Sequence, residues 1–493
     1  MANFVCKPFH GFHRYEVMVP GSKSMTNRAL LIGALAQGKT VLRGVLFSED
    51  SRVFMRALQD IGFRVEIEET EKVVTIEGLG GRLPLAGPDT EEARRTPDTA
   101  EAGGMPGEEE AGRTPDTEEA RRTPDTAEAG GMSGEEEAGR TPDRESGWRK
   151  VYVGSAGTAA RFLTAFLALS GQKFVVEASE QMKKRPMEPL LRALEMLGAR
   201  FEYLEKPYSF PFRVCGREEK NPDFVELNID ASSQFLSALL LCGVMCREGV
   251  TIRLTGTRNA RAYVGISMDM MGEFGCQTEQ LDEDTYRVLP EQRYRGGEYQ
   301  IEPDVSAACY FYGLAAVTGG EAKVMHVHRA TSQGDIRFLD VLEKMGCQVR
   351  EEADGIVVTG NEDGRLEGVH VCMSDFSDQT MTLAALAPFA QGDTVIDGVG
   401  HIRRQESDRI RGIVTELTRM GISCEEREDG LTIHPGAVRP TVVSTYDDHR
   451  MAMAFALTGC RAEGIVIDNP ECCKKTFENY FDILTNLGLI PKI

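Results

Sequence analysis

Six stretches of the chain share one pattern, in which a short polar segment opens a run of small and apolar residues that closes on glycine. Helices commonly begin after Ser, Thr, Asp or Gly, and they commonly stop at glycine. The pattern therefore predicts six helices, whose polar openings start at Gly21, Gly154, Ala231, Asp304, Ser377 and Tyr446.

A second marker accompanies the first: an amphipathic run that ends on an apolar residue and glycine. It occurs at Gly62, Gly198, Gly275, Gly346, Gly421 and Gly488, and from Gly198 onward these glycines lie 77, 71, 75 and 67 residues apart. Short β-branched segments accompany the helices, at residues 72–79, 249–256, 354–360, 393–399 and 429–435. The spacing predicts one α/β unit of two helices plus strands, used six times.

Residues 88–146 interrupt the repeat, so that Gly62 and Gly198 are 136 residues apart. This segment lacks Val, Ile, Leu, Phe, Tyr and Trp, and it contains a 27-residue tandem repeat. Its 18 Asp and Glu against 7 Arg give a net charge of −11, so we expect disorder rather than a buried core. Without its 59 residues the first spacing is 77. A tolerated loop expansion explains the segment better than an interaction tail.

Composition limits the possible classes of function. The net charge of the chain is −21, and the −10 outside the insert is an ordinary acidic surface without a basic patch for nucleic acid. We find no signal peptide pattern and no apolar run near the ~20 residues that span a bilayer. The 12 cysteines form no CxxC pair and have no histidine at ligand spacing. We expect a cytoplasmic monomer without nucleic-acid, membrane, metal or cofactor partners.

The predicted helix starts carry the candidate chemistry. A helix N-terminus presents unpaired N–H groups and a partial positive charge, so several starts aimed at one place would bind an anion. Cations lie in the first turns although the helix dipole disfavours them there, at Lys23, Arg28, Arg161 and Arg450. Because a bound anion would stabilise that arrangement, the sequence predicts an anion site at the helix starts.

Nine motifs, in this order, resemble those of the 5-enolpyruvylshikimate-3-phosphate synthase family: PGSKSMTNRALL, GSAGTAARF, MKKRP, SSQFLSALL, QGDIRFLDVLEKMG, SDQTMTLAALAPFA, RRQESDRI, YDDHRMAMAFAL and KKTF. The resemblance covers essentially everything except residues 88–146. It implies a two-domain inside-out α/β barrel of six βαβ-type repeats, three per domain. Residues 21–302 would form one domain and residues 1–20 with 303–493 the other, with the active site in the cleft between them.

The resemblance implies transfer of the enolpyruvyl group of phosphoenolpyruvate to the 5-hydroxyl of shikimate 3-phosphate, with release of phosphate. This is a step of the shikimate pathway toward chorismate and aromatic amino acids. Residues that match contacts to shikimate 3-phosphate are Lys23, Ser24, Arg28, Ser232, Ser233, Gln234 and Asp378. Residues that match contacts to phosphoenolpyruvate are Lys23, Gly157, Arg185, Gln234, Arg409, Arg450 and Lys475.

The same resemblance supplies candidates for proton transfer. Asp378 matches the aspartate placed against the 5-hydroxyl, which makes it the candidate base, and Glu406 matches the acid near the vinyl carbon. Lys23 also matches a residue near the vinyl carbon and could share the proton donation. Two alternatives stay open, because the pair Ser232 and Ser233 could merely cap a helix and His449 could be structural.

Four positions depart from the best-known bacterial pattern: Ser155, Ala260, His401 and Gln405 stand where that pattern has Asn, Ser, Asn and Lys. Each departure alters one polar contact to a substrate. Because the cations and both acids persist, the departures bear on affinity rather than on activity. Arg261 and Tyr263 could supply part of the missing contact.

Two other functions compete with this interpretation. The sister transferase that acts on UDP-N-acetylglucosamine has the same architecture, but it carries a loop cysteine that residues 177–184 lack, and Asn where this chain has Ser24. The second is a non-catalytic anion-binding scaffold. Asp378 and Glu406 are evidence against it, because a pure anion trap would avoid acids.

Joining Gly87 directly to Gly147 should leave folding and turnover within a few-fold of the full chain. The deleted segment has no large apolar side chains to bury apart from methionine, and a longer loop costs only ~0.6 kcal/mol per doubling of its length. Thermal unfolding and steady-state turnover of both proteins measure this. A large fall in melting temperature or activity would show that the segment packs against the rest.

Overall fold

The computed structural model describes residues 3–9, 13–84, 147–216, 224–256, 262–361 and 363–488. The insert 88–146, for which the sequence predicts disorder, lies outside these residues. Ala260 and Arg261 lie outside them as well. Within the described ranges the chain forms thirteen α-helices, and its strands form six sheets. No helix in these ranges combines the length and apolarity needed to cross a bilayer.

The elements are numbered in chain order. The helices are α1 (Lys23–Leu35), α2 (Glu49–Ile61), α3 (Gly157–Leu169), α4 (Glu180–Lys183), α5 (Glu188–Met196), α6 (Gln234–Gly243), α7 (Ala262–Glu273), α8 (Val305–Thr318), α9 (Phe338–Lys344), α10 (Thr380–Leu386), α11 (Arg409–Arg419), α12 (His449–Arg461) and α13 (Tyr480–Leu487). The strands are β1 (Phe4–Val5), β2 (Arg14–Val17), β3 (Gln37–Arg43), β4 (Val65–Glu68), β5 (Val73–Leu79), β6 (Arg149–Tyr152), β7 (Lys173–Glu177), β8 (Arg200–Tyr203), β9 (Phe212–Cys215), β10 (Phe224–Asn228), β11 (Val250–Thr255), β12 (Thr278–Gln280), β13 (Thr285–Val288), β14 (Glu298–Gln300), β15 (Glu321–Met325), β16 (Gln348–Glu352), β17 (Gly355–Thr359), β18 (His370–Cys372), β19 (Thr394–Asp397), β20 (Cys424–Arg427), β21 (Gly430–Ile433), β22 (Thr441–Val443) and β23 (Ile465–Ile467).

Both sequence markers correspond to helices. The six polar openings lead into α1, α3, α6, α8, α10 and α12, and the six marker glycines follow α2, α5, α7, α9, α11 and α13. Five of these glycines adopt a left-handed φ that favours glycine, whereas Gly488 has a φ of −66°. The helix prediction is confirmed, and so are the five β-branched segments, which become β5, β11, β17, β19 and β21.

Five sheets share one strand arrangement, a parallel pair extended by an antiparallel hairpin. Their orders are β14-β3-β5-β4, β6-β7-β9-β8, β10-β11-β13-β12, β2-β15-β17-β16 and β18-β19-β21-β20. In the sixth sheet, β22 and β23 form the parallel pair and β1 from the start of the chain supplies an antiparallel strand. Each predicted unit therefore has its own sheet.

Buried hydrophobic residues form two separate clusters. The first, called core A, runs from Met25 to Ile301, and the second, called core B, uses residues 6–19 and 305–487. Helices α1, α3 and α6 contact one another in core A, and α8, α10 and α12 do so in core B. Every residue of α3 is buried, which is expected when helices lie inside and sheets outside. The separate cores support the proposed domain boundaries.

The chain passes between the cores twice, at residues 20–22 and 302–304. Gly21 and Pro303 form an antiparallel bridge there, and the Ser22 N–H donates to the Glu302 carbonyl at 2.7 Å. A Cβ on Gly21 would lie 1.9 Å from the Gly44 carbonyl oxygen, so the crossing requires glycine. The two crossings adjoin the starts of α1 and α8, which places both helices at the junction.

Gly78→Ala should destabilise the fold by roughly 1–3 kcal/mol, because a Cβ there would lie 2.3 Å from the carbonyl oxygens of both Gly33 and Ala36. Gly272→Ala on the exposed face of α7 is the control. No atom lies within 4 Å of its Cβ position, so alanine should add about 0.5–1 kcal/mol of helix stability. Chemical denaturation compares the two variants, and equal effects would contradict the packing described for β5.

Candidate functional site

One cavity collects the beginnings of the inner helices of both cores. Its wall includes Ser22, Lys23, Ser24 and Arg28 at α1, Gly157, Thr158 and Arg161 at α3, Ser232, Ser233 and Gln234 at α6, Asp304, Ser306, Ala307 and Tyr310 at α8, Asp378 before α10, and His449, Arg450 and Met453 at α12. Helix starts that are far apart in sequence are thus adjacent in space. Arg185, Glu406 and Arg409 also line the cavity.

The start of α1 is held by two acids. The Lys23 ammonium lies 2.8 Å from Asp50, a buried residue near the start of α2, and the Lys23 backbone N–H donates to Asp304 at 3.0 Å. Ser24 lines the cavity, and its carbonyl accepts a hydrogen bond from Arg28 at 2.9 Å. Lys23 is therefore fixed from both cores, since Asp304 belongs to the second crossing.

Arg28 is buried without a carboxylate partner among the described residues. Its guanidinium donates to neutral acceptors: the Ser267 hydroxyl at 2.8 Å, the Ser237 hydroxyl at 3.2 Å and the Tyr263 carbonyl at 2.9 Å. Burial lowers the pKa of Arg28 to about 10, so it stays cationic at neutral pH. A buried guanidinium held only by neutral groups can still attract an anion.

Gly157 lets two guanidiniums approach the first turn of α3. A Cβ at this position would lie 2.5 Å from Arg161, 2.8 Å from Arg185 and 2.9 Å from the Gln234 side-chain oxygen. Arg161 is buried and donates to that oxygen at 2.6 Å. Burial, and then the charge of Arg185, hold the pKa of Arg161 well below its usual value. Backbone N–H groups and two cations therefore converge where no side chain intervenes.

The two serines before α6 differ in their bonding. The Ser232 hydroxyl accepts a hydrogen bond from the Gln234 backbone N–H at 3.3 Å. Ser233 is the N-cap residue of α6, yet its side chain makes no capping hydrogen bond. The capping alternative therefore applies to Ser232 alone, and the hydroxyl of Ser233 stays available in the cavity wall.

Arg409, at the start of α11, joins three carboxylates while itself buried. It lies 2.8 Å from Asp448, 2.9 Å from Glu406 and 3.1 Å from Asp378. The second Asp378 oxygen accepts from Arg450 at 2.6 Å. Burial alone would raise the pKa of Glu406, but the charges of Arg409 and Arg185 hold it well below its usual value. Both candidate acids are therefore set in a network of guanidiniums.

His449 and His401 are buried residues of the cavity wall. Burial, and then the charge of Lys23, hold the pKa of His449 well below its usual value. The ring of His401 lies 2.8 Å from the Ser377 hydroxyl, and burial lowers its pKa as well. Both histidines are neutral at pH 7 and add no charge to the wall.

Lys475 is the one predicted site residue that the structure does not bring into the wall. It ends the 3₁₀ turn Pro470–Lys475, and its ammonium lies 2.9 Å from Asp447 and 3.5 Å from the Gln181 side-chain oxygen. The next two residues, Thr476 and Phe477, do line the cavity. Lys475 therefore lies at the rim of the cavity, where core B contacts core A.

The family model for EPSP synthase (3-phosphoshikimate 1-carboxyvinyltransferase) matches residues 14–95 and 134–484, which is most of the chain. The chain belongs to the EPSP synthase family. A 3-phosphoshikimate 1-carboxyvinyltransferase of Trichormus variabilis is 37% identical over 465 residues, covering 94% of each chain. A relative from Halalkalibacterium halodurans, 3-phosphoshikimate 1-carboxyvinyltransferase 2, is 34% identical and covers 96% of this chain and 92% of its own.

Solved structures show the same architecture. An EPSP synthase from Acinetobacter baumannii superposes with a TM-score of 0.73 at 23% sequence identity, and the match covers 99% of both chains. At this identity the comparison supports the fold alone. The two-domain inside-out α/β architecture expected of the EPSP synthase family is thereby confirmed for this chain.

Three of the four departures from the best-known EPSP synthase pattern fall on described residues. The Ser155 carbonyl accepts from Arg185 at 3.3 Å, and the Gln405 side-chain oxygen accepts from Arg409. His401 bonds Ser377 as described above. The Gln405 side chain thus supports Arg409 in the wall, whereas Ser155 contacts Arg185 only through its backbone. Arg404, exposed beside Gln405, adds a cation to the lining.

Sequence reasoning overlooked several residues that the site uses. Asp448 and Asp335 lie inside two of the EPSP synthase motifs, DDHR and QGDIR, so the motifs themselves contain a signal for both residues. Asp50 lies outside all nine motifs, and nothing in its local sequence indicates that it meets Lys23. Only the packing of α2 beside α1 brings these two side chains together.

Arg409→Met should cost about 3–5 kcal/mol of stability at neutral pH, because it leaves three carboxylates without their shared cation. In the wild type the pKa values of Glu406 and Asp448 are lowered, so their stabilisation is present above their unfolded pKa values and lost as pH falls through the folded ones. The unpaired carboxylates of the variant take up protons more easily. The loss of unfolding free energy of Arg409→Met relative to the wild type should therefore become smaller toward pH 5.

Denaturant unfolding of both proteins at pH 7.5 and pH 5 measures this difference. Arg411→Met, on the same helix with a side chain that is 70% exposed, is the matched control and should change little. Equal losses for the two variants, or a deficit for Arg409→Met that grows as the pH falls, would contradict the role given to Arg409.

Proposed function

We propose that the chain is a 3-phosphoshikimate 1-carboxyvinyltransferase, which transfers the enolpyruvyl group of phosphoenolpyruvate to the 5-hydroxyl of shikimate 3-phosphate and releases phosphate. Family membership and the printed names of its relatives support this activity. The observation that carries it is the convergence of inner helix starts and guanidiniums around Asp378 and Glu406. Such a wall suits two phosphorylated carboxylates.

Phosphoenolpyruvate would bind where Gly157 exposes the first turn of α3. Arg185 and the Gln234 side-chain oxygen lie close to this place, and Arg409, Arg450 and Lys23 line the same cavity. Lys475 would reach the ligand from the rim. Planar guanidiniums fit both phosphate and carboxylate oxygens, which supports this assignment.

Shikimate 3-phosphate would bind beside the starts of α1 and α6. Arg28 supplies a buried cation without a carboxylate partner among the described residues, and Ser24, Ser232 and Ser233 supply hydroxyls. Lys23, which lines the same cavity, would contact both substrates. The neutral His401 and Gln405 would tune affinity here without changing the charge of the site.

Asp378 accepts the proton of the 5-hydroxyl in this proposal. The hydroxyl oxygen then attacks C2 of phosphoenolpyruvate while the vinyl carbon takes a proton from Glu406, with Lys23 sharing the donation. The free protein holds Glu406 ionised, since its pKa is well below the usual value. Bound anions neutralise Arg409 and Arg185, so they raise the pKa of Glu406 and allow it to carry the proton that it donates.

We also propose that the protein works as a cytoplasmic monomer in the biosynthesis of chorismate and aromatic amino acids.

A phosphate-release assay with phosphoenolpyruvate tests the activity. Shikimate 3-phosphate and UDP-N-acetylglucosamine are the two acceptors to compare. Release with shikimate 3-phosphate alone is the expected result. Release with the nucleotide sugar would indicate the sister activity, and binding of both substrates without release would indicate a scaffold that has lost catalysis.

Asp378→Asn should lower turnover by roughly a hundredfold or more, within the ~10² to 10⁴ range for a general base. The amide keeps the volume of the carboxylate but cannot accept the proton, and the cations that bind the substrates remain. Shikimate 3-phosphate affinity should stay near wild type or tighten.

Calorimetric binding and phosphate release on one preparation measure these effects. Asp375→Asn is the matched control: this aspartate lies three residues earlier, its side chain is 42% exposed and pairs with Arg337, and the change should leave both quantities unchanged. If Asp378→Asn loses binding and turnover in proportion, or loses neither, the role assigned to Asp378 is wrong.

A further inference from the structure

A second aspartate shares the cavity wall with Asp378. Asp335 lies in the 3₁₀ turn Gly334–Arg337, which contacts the 3₁₀ turn Ser377–Gln379 that carries Asp378. Both turns pack against α8, and both aspartates line the cavity. Asp335 is only 4% exposed, so its carboxyl group is removed from bulk water.

The two carboxyl groups have unequal partners. Each Asp378 oxygen accepts from a guanidinium, of Arg409 and of Arg450. Asp335 has no ion pair among the described residues: one oxygen accepts from the Ser306 hydroxyl, and the other is buried without any hydrogen-bond partner. A buried carboxyl group without a cation is the member of a pair that keeps a proton.

The electrostatic surroundings agree with this geometry. Burial, and then the charge of Asp378, raise the pKa of Asp335 to about 7, against the opposing effects of Arg450 and the Ser306 hydrogen bond. The other titratable groups that face it are Asp304, Cys309 and Tyr263. The charged residues of α9 are exposed, and Asp340 among them pairs with Arg329.

We propose that Asp335 and Asp378 receive the acceptor's hydroxyl proton as a pair, in which Asp335 is a positioning residue that acts through Asp378. This inference rests on the proposed function. The hydroxyl O–H bond breaks, its electron pair forms the C–O bond to C2 of the enolpyruvyl group, and the proton bonds to Asp378. The proton then moves to Asp335, which restores the Asp378 ion pairs. When the C2–O bond to phosphate breaks, Glu406 takes a proton back from the methyl carbon to restore the double bond, and the proton of Asp335 leaves on the phosphate product.

Asp335 gives the pair a group that the guanidiniums do not hold. Arg409 and Arg450 bond the two oxygens of Asp378, whereas no guanidinium among the described residues bonds Asp335. A general base is most effective when its pKa lies near the working pH. Two interacting carboxyl groups titrate together, so a second acid without a cation brings the basicity of the pair into that range.

Rate profiles against pH for phosphate release from phosphoenolpyruvate and shikimate 3-phosphate test the pair. The wild-type rate should rise on an acid limb near pH 7, following the raised pKa of Asp335, which is about 7. Asp335→Asn should move this limb down by about one pH unit or more and lower the plateau rate by about tenfold, with the shikimate 3-phosphate KM retained. Ser306→Ala should move the limb upward, because the ionised form loses a hydrogen-bond donor.

A merely structural role of Asp335 would not shift the acid limb in opposite directions in Asp335→Asn and Ser306→Ala. Asp340→Asn, on the exposed face of the adjacent α9, is the matched control and should leave the profile unchanged. Identical limbs in wild type, Asp335→Asn and Ser306→Ala would overturn the proposal. If Asp335→Asn does not fold, the direction of the Ser306→Ala shift decides.

Infrared titration of the substrate-free protein separates this inference from the proposed function. A protonated buried carboxyl group has a C=O stretching band. In the wild type one such band should vanish as the pH rises through about 7, and in Asp335→Asn this component should be missing. This band requires no substrate, so it reports on the pair even if shikimate 3-phosphate supports no phosphate release. A wild-type band that Asp335→Asn leaves in place would refute the assignment.

Discussion

The structure depends on how buried helix starts satisfy their backbone N–H groups, since each start leaves several without an intrahelical acceptor. Asp304 supplies hydrogen-bond acceptors to a helix start in each core. One of its oxygens accepts from Ala307 in α8 at 3.1 Å, and the other accepts from the Lys23 N–H of α1 at 3.0 Å. Because Asp304 is the last residue of the second chain crossing, the same carboxylate that caps α8 also fixes α1 from the opposite core. The cavity is built around this junction.

The two cores bring different chemistry to that cavity. In core A, no side chain of the N-cap residues of α1, α3 and α6 makes a capping hydrogen bond, and the buried Arg28 and Arg161 have no carboxylate partner among the described residues. In core B, Asp304 and Asp448 cap α8 and α12. Core A thus presents N–H groups and unmatched cations, which suit anion binding. Core B presents carboxylates held by guanidiniums, which suit proton transfer.

The sequence predicted the repeated elements because their signals are local: a polar opening, a small-residue helix, and a glycine whose left-handed φ recurs at Gly62, Gly198, Gly275, Gly346 and Gly421. Of the residues that it predicted for the site, all but Lys475 line the cavity, because the motifs that carry the resemblance contain residues that meet in space. What it could not supply were contacts between elements. Asp50 reaches Lys23 only through the packing of α2 on α1, and Lys475 lies at the rim because its ammonium pairs with Asp447. Neither contact is encoded in a run of neighbouring residues.

The distribution of charge links binding to chemistry in this site. Arg409, Arg185 and Arg450 are matched in the free protein by Glu406, Asp378 and Asp448, so this cluster holds no surplus cation. An arriving phosphate or carboxylate must therefore be matched by the guanidiniums of Arg28 and Arg161, or must draw the others away from their acids. When an anion draws Arg409 and Arg185 away from Glu406, the pKa of Glu406 rises and its protonation becomes easier. A site that carried cations alone would bind the same anions without changing the basicity of any group, and it would have no means of moving a proton once they were bound.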